Sequence, residues 1–384
     1  MKAPYRVAVV GAGVAGLTLA CLLARSRCSA QLEILVFDTG ERPRFNINDD
    51  IGLRVSAIAN GSVDILERAG AWPAVAAARL SPYRAMRVWD QEDAPDSASA
   101  LTFDAAEFAL PELGFIVENH LLRHALLGAL ENTDVAVRFE HHSDALPTAD
   151  LVVGADGARS FVRQKSGIDT AEWPYRQTAV VTHLQPELPH EETARQRFLR
   201  DGPLGMLPLA DGRISVVWST TPETAERAAR LPERDLGTVL TEASDGALGR
   251  LDVAGPRGTF PLMARHAQTY VLAGVALIGD AAHAIHPLAG QGANLGLQDA
   301  AVLATTLDGA IRRGFSPGDR PVLRRFERAR KGANMTMMHF MTGLNRLFAT
   351  DSALLGEIRS AGMRAFNRSG PVRERAVRIA LGVD

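Results

Sequence analysis

Residues 279–300 read GDAAHAIHPLAGQGANLGLQDA. A strand-like run, VALI, leads into Gly279 and Asp280, and an apolar run that reads as a helix begins near Gly292. Glycine loses more backbone freedom on folding than any other residue. Glycines gathered at such a junction therefore mark a place where another group must approach the main chain. A second junction of the same kind, at the start of the chain, indicates what that group is.

The second junction is VAVVGAGVAG, residues 7–16. A strand from Arg6 to Val10 turns into a helix running from Val14 to about Ala24. Gly11 permits the tight turn, Gly13 lets a pyrophosphate touch the backbone, and Gly16 lets the helix pack close on the strand. The helix N-terminus then faces the phosphates with unpaired N–H groups. A second strand, LEILVFD, ends at Asp38, where a carboxylate can take ribose hydroxyls. Strand, turn, helix, strand and acid in this order predict a dinucleotide site.

The bounds agree. With 384 residues the chain can form two ordinary domains or one large composite. Hydrophobic residues make up 46% and charged residues 22%, the balance of a soluble globular protein with a sizeable core. A net charge of −2 offers nucleic acid no general attraction. Cys21 and Cys28 form no CxxC, which fits a reducing compartment and argues against a disulfide framework or a zinc site. No secretory layout precedes the first strand. Val7 to Ala24 is an uncharged run close to membrane-spanning length, but its glycines divide it into two elements.

A third strand-to-turn segment, LVVGADGARSFVR, carries Asp156, Gly157, Ser160 and Arg163. Together these segments resemble the ubiquinone-biosynthesis hydroxylases, FAD-dependent aromatic monooxygenases of the p-hydroxybenzoate hydroxylase fold. Further support lies in RVSAI (54–58), LGFIVEN (113–119), GPLGMLPL (202–209), FPL (260–262) and HPLAGQGANLGLQD (286–299). The resemblance covers nearly the whole chain and departs at two places. Asp38 stands where such enzymes usually carry Glu, and His120 where an arginine is usual.

The resemblance implies an α/β fold: a Rossmann-like FAD-binding domain with an inserted β-sheet substrate domain and a C-terminal helical region. It assigns to the cofactor Gly11, Gly13, Ala15, Gly16, Asp38, Arg54, Arg123, Asp156, Asp280, Pro287, Gly290, Gln291, Gly292 and Asn294. Asp280 would hold the ribityl chain, and the Gly290–Gln291–Gly292 backbone would lie against the isoalloxazine ring. Pro287 would wall the ring face, and Arg54 would stand near the pyrophosphate and the nicotinamide route. The FAD-binding domain is expected from residues 1–72, 108–172 and 271–319. The substrate domain takes 73–107 and 173–270, including RISVVWST and helical AERAARL, and a helical tail spans 320–384.

The implied activity is hydroxylation of the ring of a polyprenylated phenol in ubiquinone biosynthesis. NADH or NADPH is the transient electron donor, and O2 reacts through a flavin hydroperoxide. No second GxGxxG provides a separate nicotinamide domain, and the tryptophans at 72, 89, 173 and 218 make no WxW of the flavin halogenases. Two alternatives stay open: a hydroxylase of a soluble aromatic compound, and a flavin oxidase or reductase acting on a prenyl lipid. A scaffold subunit of a quinone-biosynthesis complex is the non-enzymatic reading. His283 and His286 invite a metal reading, but no third ligand stands at a sensible spacing, so none is expected. Tyr175, Tyr270, His183 and His266 are candidates for a base that deprotonates the phenol, but each reads equally as structural, so the sequence assigns none.

The tail holds thirteen Lys or Arg against five Asp or Glu, a net charge of +8. Its NMTMMHFMTGLNRLF stretch places Met337, Met338, Met341, Leu344 and Phe348 at helical spacing. One reading is helices packed on the flavin domain with a solvated arginine face. The other is a peripheral contact of a cytoplasmic protein with the inner face of the membrane, or with a quinone-biosynthesis complex.

Overall fold

A computed structural model describes residues 3–286, 288, 291–349, 361–367 and 369–382. The first strand, Tyr5–Val10, lies inside a six-stranded sheet. Its order is Val271–Leu272, Val275–Leu277, Leu151–Gly154, Tyr5–Val10, Leu32–Phe37 and Ala136–Arg138. All neighbours are parallel except the first two. Val7, Ala8 and Val9 are fully buried, as a parallel strand covered on both faces requires. Helices Val14–Ala24, Asn119–Leu130 and Gln291–Ile311 cover the sheet through Leu17, Leu122, Leu126, Leu303 and Leu307. The uncharged run is thus a strand and a helix, and among the described residues no helix is long and apolar enough to cross a membrane.

Two antiparallel strands of 17 residues each, Thr170–Pro186 and Leu251–Ala267, form the axis of an eight-stranded sheet. Side chains alternate across it. Val180, Leu184, Leu204, Met206, Val216 and Trp218 pack under the helices Pro222–Arg230 and Glu233–Ala243. The opposite, inner face meets the nucleotide-binding half. Ala194 packs there with Ile51 and Ala57, and Phe198 stacks on Phe348 with ring centroids 3.9 Å apart.

Segment 73–107 divides between sheets. Ala85–Asp90 and Leu101–Asp104 edge the large sheet, whereas Ser81–Tyr83 joins Val55–Ala59 and Gly114–Glu118 in a small third one.

The helix Arg320–Ala349 spans both halves. It buries one stripe: Val322, Phe326, Arg330, Asn334, Met338, Met341, Asn345 and Phe348. Phe326 enters the core of the first half, while Met341 and Phe348 pack with Val88 of the large sheet. The methionine run is therefore largely a packing stripe, with Met337 and Leu344 half-buried at its margin. Arg373 is also built in. It pairs with Glu107, donates to the Thr102 carbonyl and lies over Phe103 and Phe108. Arg364 and Arg375 are exposed.

Candidate cofactor and active site

The three glycines of the first turn do different work. Gly11 has φ +109°, and a Cβ there would lie 2.3 Å from the Ala155 carbonyl oxygen. A Cβ on Gly16 would lie 2.0 Å from the Gly11 carbonyl oxygen, so helix and turn touch backbone to backbone. Gly13 is the N-cap of the helix, without a capping side chain or an acid in the first turn, and a Cβ there would meet nothing within 4 Å. An open, uncapped helix N-terminus at a strand end is what a pyrophosphate requires.

Asp38 accepts from Ala12 N at 2.7 Å and from Gly40 N at 2.8 Å, one bond per oxygen, so it braces the turn and keeps lone pairs for other donors. Arg123 Nε donates to the Ala12 carbonyl at 2.9 Å, from the same helix that carries His120. The Ala15 methyl packs between the Gly279 and Gly296 backbones. Asp156 turns inward on its own loop and accepts from Ser160 Oγ and Val162 N. Buried Arg163 then joins that loop to the Gly279–Ala281 turn, donating at 2.9 Å to the carbonyls of Ala158 and Ala281.

Asp280 is exposed to solvent, yet many protein atoms stand around it. That burial pushes its pKa up, opposed by His283, Arg54 and Arg265. Arg54 also lies 5.8 Å from the Phe260 ring of the large sheet, so both halves of the molecule meet at this turn. Asn294 accepts from Ala59 N at 3.0 Å and donates to the Ala57 carbonyl at 2.9 Å, stapling the start of the Gln291–Ile311 helix to Val55–Ala59. Gly292 has nothing within 4 Å of a Cβ. Pro287, Gly290 and the Gln291 side chain lie outside the described residues. The open N-terminus at Gly13, the bare backbone at Gly292 and the carboxylate at Asp280 fit a dinucleotide carrying a flat ring system.

Beneath that turn lies a buried polar network that sequence reasoning missed. Asp299, fully buried, accepts from Gly279 N at 3.1 Å, Arg330 Nε at 2.7 Å and Asn334 Nδ2 at 3.0 Å, and lies 2.6 Å from His283 Nε2. Arg330 also donates to Asn334 Oδ1, while Tyr270 Oη links Asn334 to His266. Burial would raise the Asp299 pKa, but His283 and Arg330 outweigh it and hold the carboxyl at about 2. His283 and His286 have separate partners, His286 Nε2 standing 3.1 Å from Gln177 Oε1. Among the described residues no three metal-ligating side chains converge. Of the weighed bases, Tyr270 and His266 belong to the buried network, and Tyr175 bonds Thr342.

A family model described as FAD binding domain matches residues 124–340, and one described as NAD(P)-binding Rossmann-like domain matches 9–56. Among solved structures, Pseudomonas aeruginosa PqsL, a probable FAD-dependent monooxygenase, superposes with a TM-score of 0.74 at 22% identity, over 94% of this chain and 99% of its own. The p-nitrophenol 4-monooxygenase PnpA of Pseudomonas putida DLL-E4 gives 0.74 at 18%, over 99% and 97%. The protein is an FAD-dependent monooxygenase of the p-hydroxybenzoate hydroxylase fold, with a nicotinamide nucleotide as electron donor. The 3-demethoxyubiquinol 3-hydroxylase of Escherichia coli K12 is 36% identical over 99% of both chains. The ubiquinone hydroxylase UbiL of Rhodospirillum rubrum is 35% identical over 98% of this chain and 89% of its own, and human mitochondrial COQ6 is 32% identical over 98% and 92%. The chain belongs to the ubiquinone-biosynthesis hydroxylase family.

Replacing Asp299 by Asn would leave Arg330 buried without its counter-charge, and breaking such a pair costs about 3–5 kcal/mol. The native carboxyl is held below its unfolded pKa of about 3.9, so its contribution is full above that pH and fades as pH falls towards 2. Urea unfolding of Asp299→Asn at pH 7 should show this loss, and the gap to wild type should narrow in acid. A loss under about 1 kcal/mol would mean that the network does not hold the turn.

Proposed function

We propose that the chain hydroxylates the aromatic ring of a polyprenylated phenol in ubiquinone biosynthesis, using NADH or NADPH and O2. The observation that carries this reading is the full-length similarity to a 3-demethoxyubiquinol 3-hydroxylase. The inner face of the large sheet mixes small or apolar positions, among them Ala179, Val181, Gly205 and Gly258, with polar ones, among them Gln177, Ser215 and Ser219, as a ring with a polar group and an apolar tail requires.

Bound FAD supplies the hydride acceptance and oxygen activation that side chains lack. Everything else falls to the chain. Residues 1–72, 108–172 and 271–319 form the FAD-binding domain in this reading, 73–107 and 173–270 the substrate domain, and 320–384 the tail. The backbone at Gly13 and the helix start beyond it take the pyrophosphate, with Gly11, Ala15 and Gly16 shaping that turn. Asp38 takes ribose hydroxyls, Arg54 stands near the pyrophosphate and the nicotinamide route, and Arg123, Asp156 and Asn294 hold the surrounding backbone. Asp280 takes the ribityl chain, the 290–292 backbone takes the ring edge, and Pro287 takes its face. N–H donors held at that edge would favour negative charge on the ring without solvent rearrangement.

A peripheral contact with anionic lipid, bringing the enzyme to its substrate, is part of the same reading. Met335 and Phe340 are 42% and 58% exposed on the long helix, and Trp173 and Met263 are 42% and 40% exposed at the sheet end that it reaches through Thr342 and Tyr175. Exposed Arg364 and Arg375 supply positive charge in the tail, and such residues are worth about 1 kcal/mol each at an anionic surface.

Three outcomes are expected. Gly292→Val should keep its unfolding midpoint, because the protein itself leaves space there, yet purify with little FAD. Asp280→Ala should do the same, and yellow, stoichiometric preparations of both would refute the placement. Each buried CH2 of a prenyl tail is worth about 0.8 kcal/mol. Tail-less phenols should therefore bind weakly and divert NAD(P)H oxidation to hydrogen peroxide, whereas equal coupling would favour a soluble aromatic substrate. Finally, Phe340→Ser with Arg364→Ala and Arg375→Ala should retain FAD but lose flotation with anionic vesicles. Undiminished flotation would discard the lipid contact.

A further inference from the structure

On the inner face of the large sheet, Gln177 donates from Nε2 to the Asp201 carbonyl at 2.7 Å, which fixes the orientation of its amide. Its Oε1 is then the end that other donors must use. His286 Nε2 and Asn345 Nδ2 both reach it, each at 3.1 Å. An amide oxygen only accepts, so His286 carries its proton on Nε2 and Asn345 turns its nitrogen to Gln177. His286 Nδ1 and Asn345 Oδ1 are left over. Neither has a hydrogen-bond partner among the described residues, although the two residues are only 0% and 6% exposed.

Buried acceptors without donors are destabilising and call for an explanation. The ring is neutral, because burial lowers the His286 pKa to about 4, so Nδ1 presents a bare lone pair near neutral pH. Tyr175 clamps that ring edge-on with centroids 4.8 Å apart, and its hydroxyl is tied to Thr342 Oγ1 at 3.0 Å. His286 also stands between the Asp280 turn and the Gln291–Ile311 helix, the stretch assigned above to the flavin ring.

We propose that His286 Nδ1, with Asn345 Oδ1 as a second acceptor, takes the hydrogen bond of the substrate's ring hydroxyl. This rests on the phenolic substrate proposed above. The hydroxyl has one proton, which it gives to Nδ1, with Asn345 Oδ1 as the alternative acceptor, and in donating it pushes electron density into the ring carbons to be hydroxylated. A ring carrying a methyl ether at that position finds two acceptors and offers no donor.

The test compares a prenylated phenol with its O-methyl ether, binding each to FAD-loaded enzyme by calorimetry. Wild type should prefer the phenol by about five- to tenfold, the range of one hydrogen bond. His286→Gln keeps an amide N–H for Gln177 but deletes the Nδ1 acceptor, and it should bring the two ligands to near-equal affinity by weakening the phenol alone. His286→Asn, which keeps a polar group at the Nδ1 position, should retain part of the preference. Asn345→Leu should lower it by a smaller factor, and stands in if His286→Gln does not fold. An unchanged preference, equal weakening of both ligands, or loss of FAD with the preference intact would overturn the assignment to substrate. Wild type that binds the phenol without preference sinks only this inference, whereas wild type that binds no prenylated phenol sinks the substrate reading beneath it.

Discussion

A single buried carboxylate, Asp299, connects the parts of this molecule that must agree for a cofactor to be held. It takes the backbone N–H of Gly279, and through His283, Arg330 and Asn334 it binds the glycine–aspartate turn to the long helix Arg320–Ala349. Removing a charge of this kind from water costs several kcal/mol, and the pairing returns it only when the geometry is satisfied. The network is therefore better regarded as a device for fixing one arrangement than as a source of stability. A Gly279–Asp280 turn moved by a fraction of an ångström would leave donors unsatisfied in a low-dielectric interior.

Above that carboxylate the backbone is made bare where close approach is needed and dense elsewhere. Gly11 and Gly16 cannot carry a side chain because main-chain oxygens stand where the Cβ would lie. Gly13 and Gly292 are free of such contacts among the described residues, since none lies within 4 Å of a Cβ there. The first pair serves packing of the chain on itself. The second pair is where the proposed cofactor contact needs open backbone. The acids divide similarly: Asp38 and Asp156 bond their own loops, while Asp280 is exposed with Arg54 and Arg265 near it.

The long C-terminal helix gives the two halves a common wall. Its N-terminal part is anchored by Phe326 in the nucleotide-binding core, and its C-terminal part by Phe348 stacked on Phe198 of the large sheet. Between them, Arg330 and Asn334 serve the turn network, while Thr342 and Asn345 reach Tyr175 and Gln177. One helical stripe thus carries apolar side chains at its ends and polar ones where it passes the cleft.

Much of this was legible in the chain. The nucleotide-binding half could be read because its elements are local: GAGVAG places a turn between a strand and a helix, and Asp38 follows the next strand, all within 38 residues. Glycine spacing, apolar runs and turn chemistry act over a few residues, so by themselves they determined a dinucleotide-binding strand–turn–helix–strand unit, and the family resemblance supplied the flavin and its fold. The same short range explains what it could not tell. The bracing of Ala12 by Asp38, the embedding of Arg373 among aromatic rings, and the meeting of Asp299 with Arg330 and Asn334 depend on strand order and helix docking. His286 is the clearest case. Next to a proline in a glycine-rich stretch it resembles a turn residue, and only the long strand Thr170–Pro186 brings Gln177 to its Nε2. Which nitrogen carries the proton then follows from the Asp201 carbonyl, 85 residues away in the chain, because hydrogen-bond donors and acceptors are matched in space and not along the sequence.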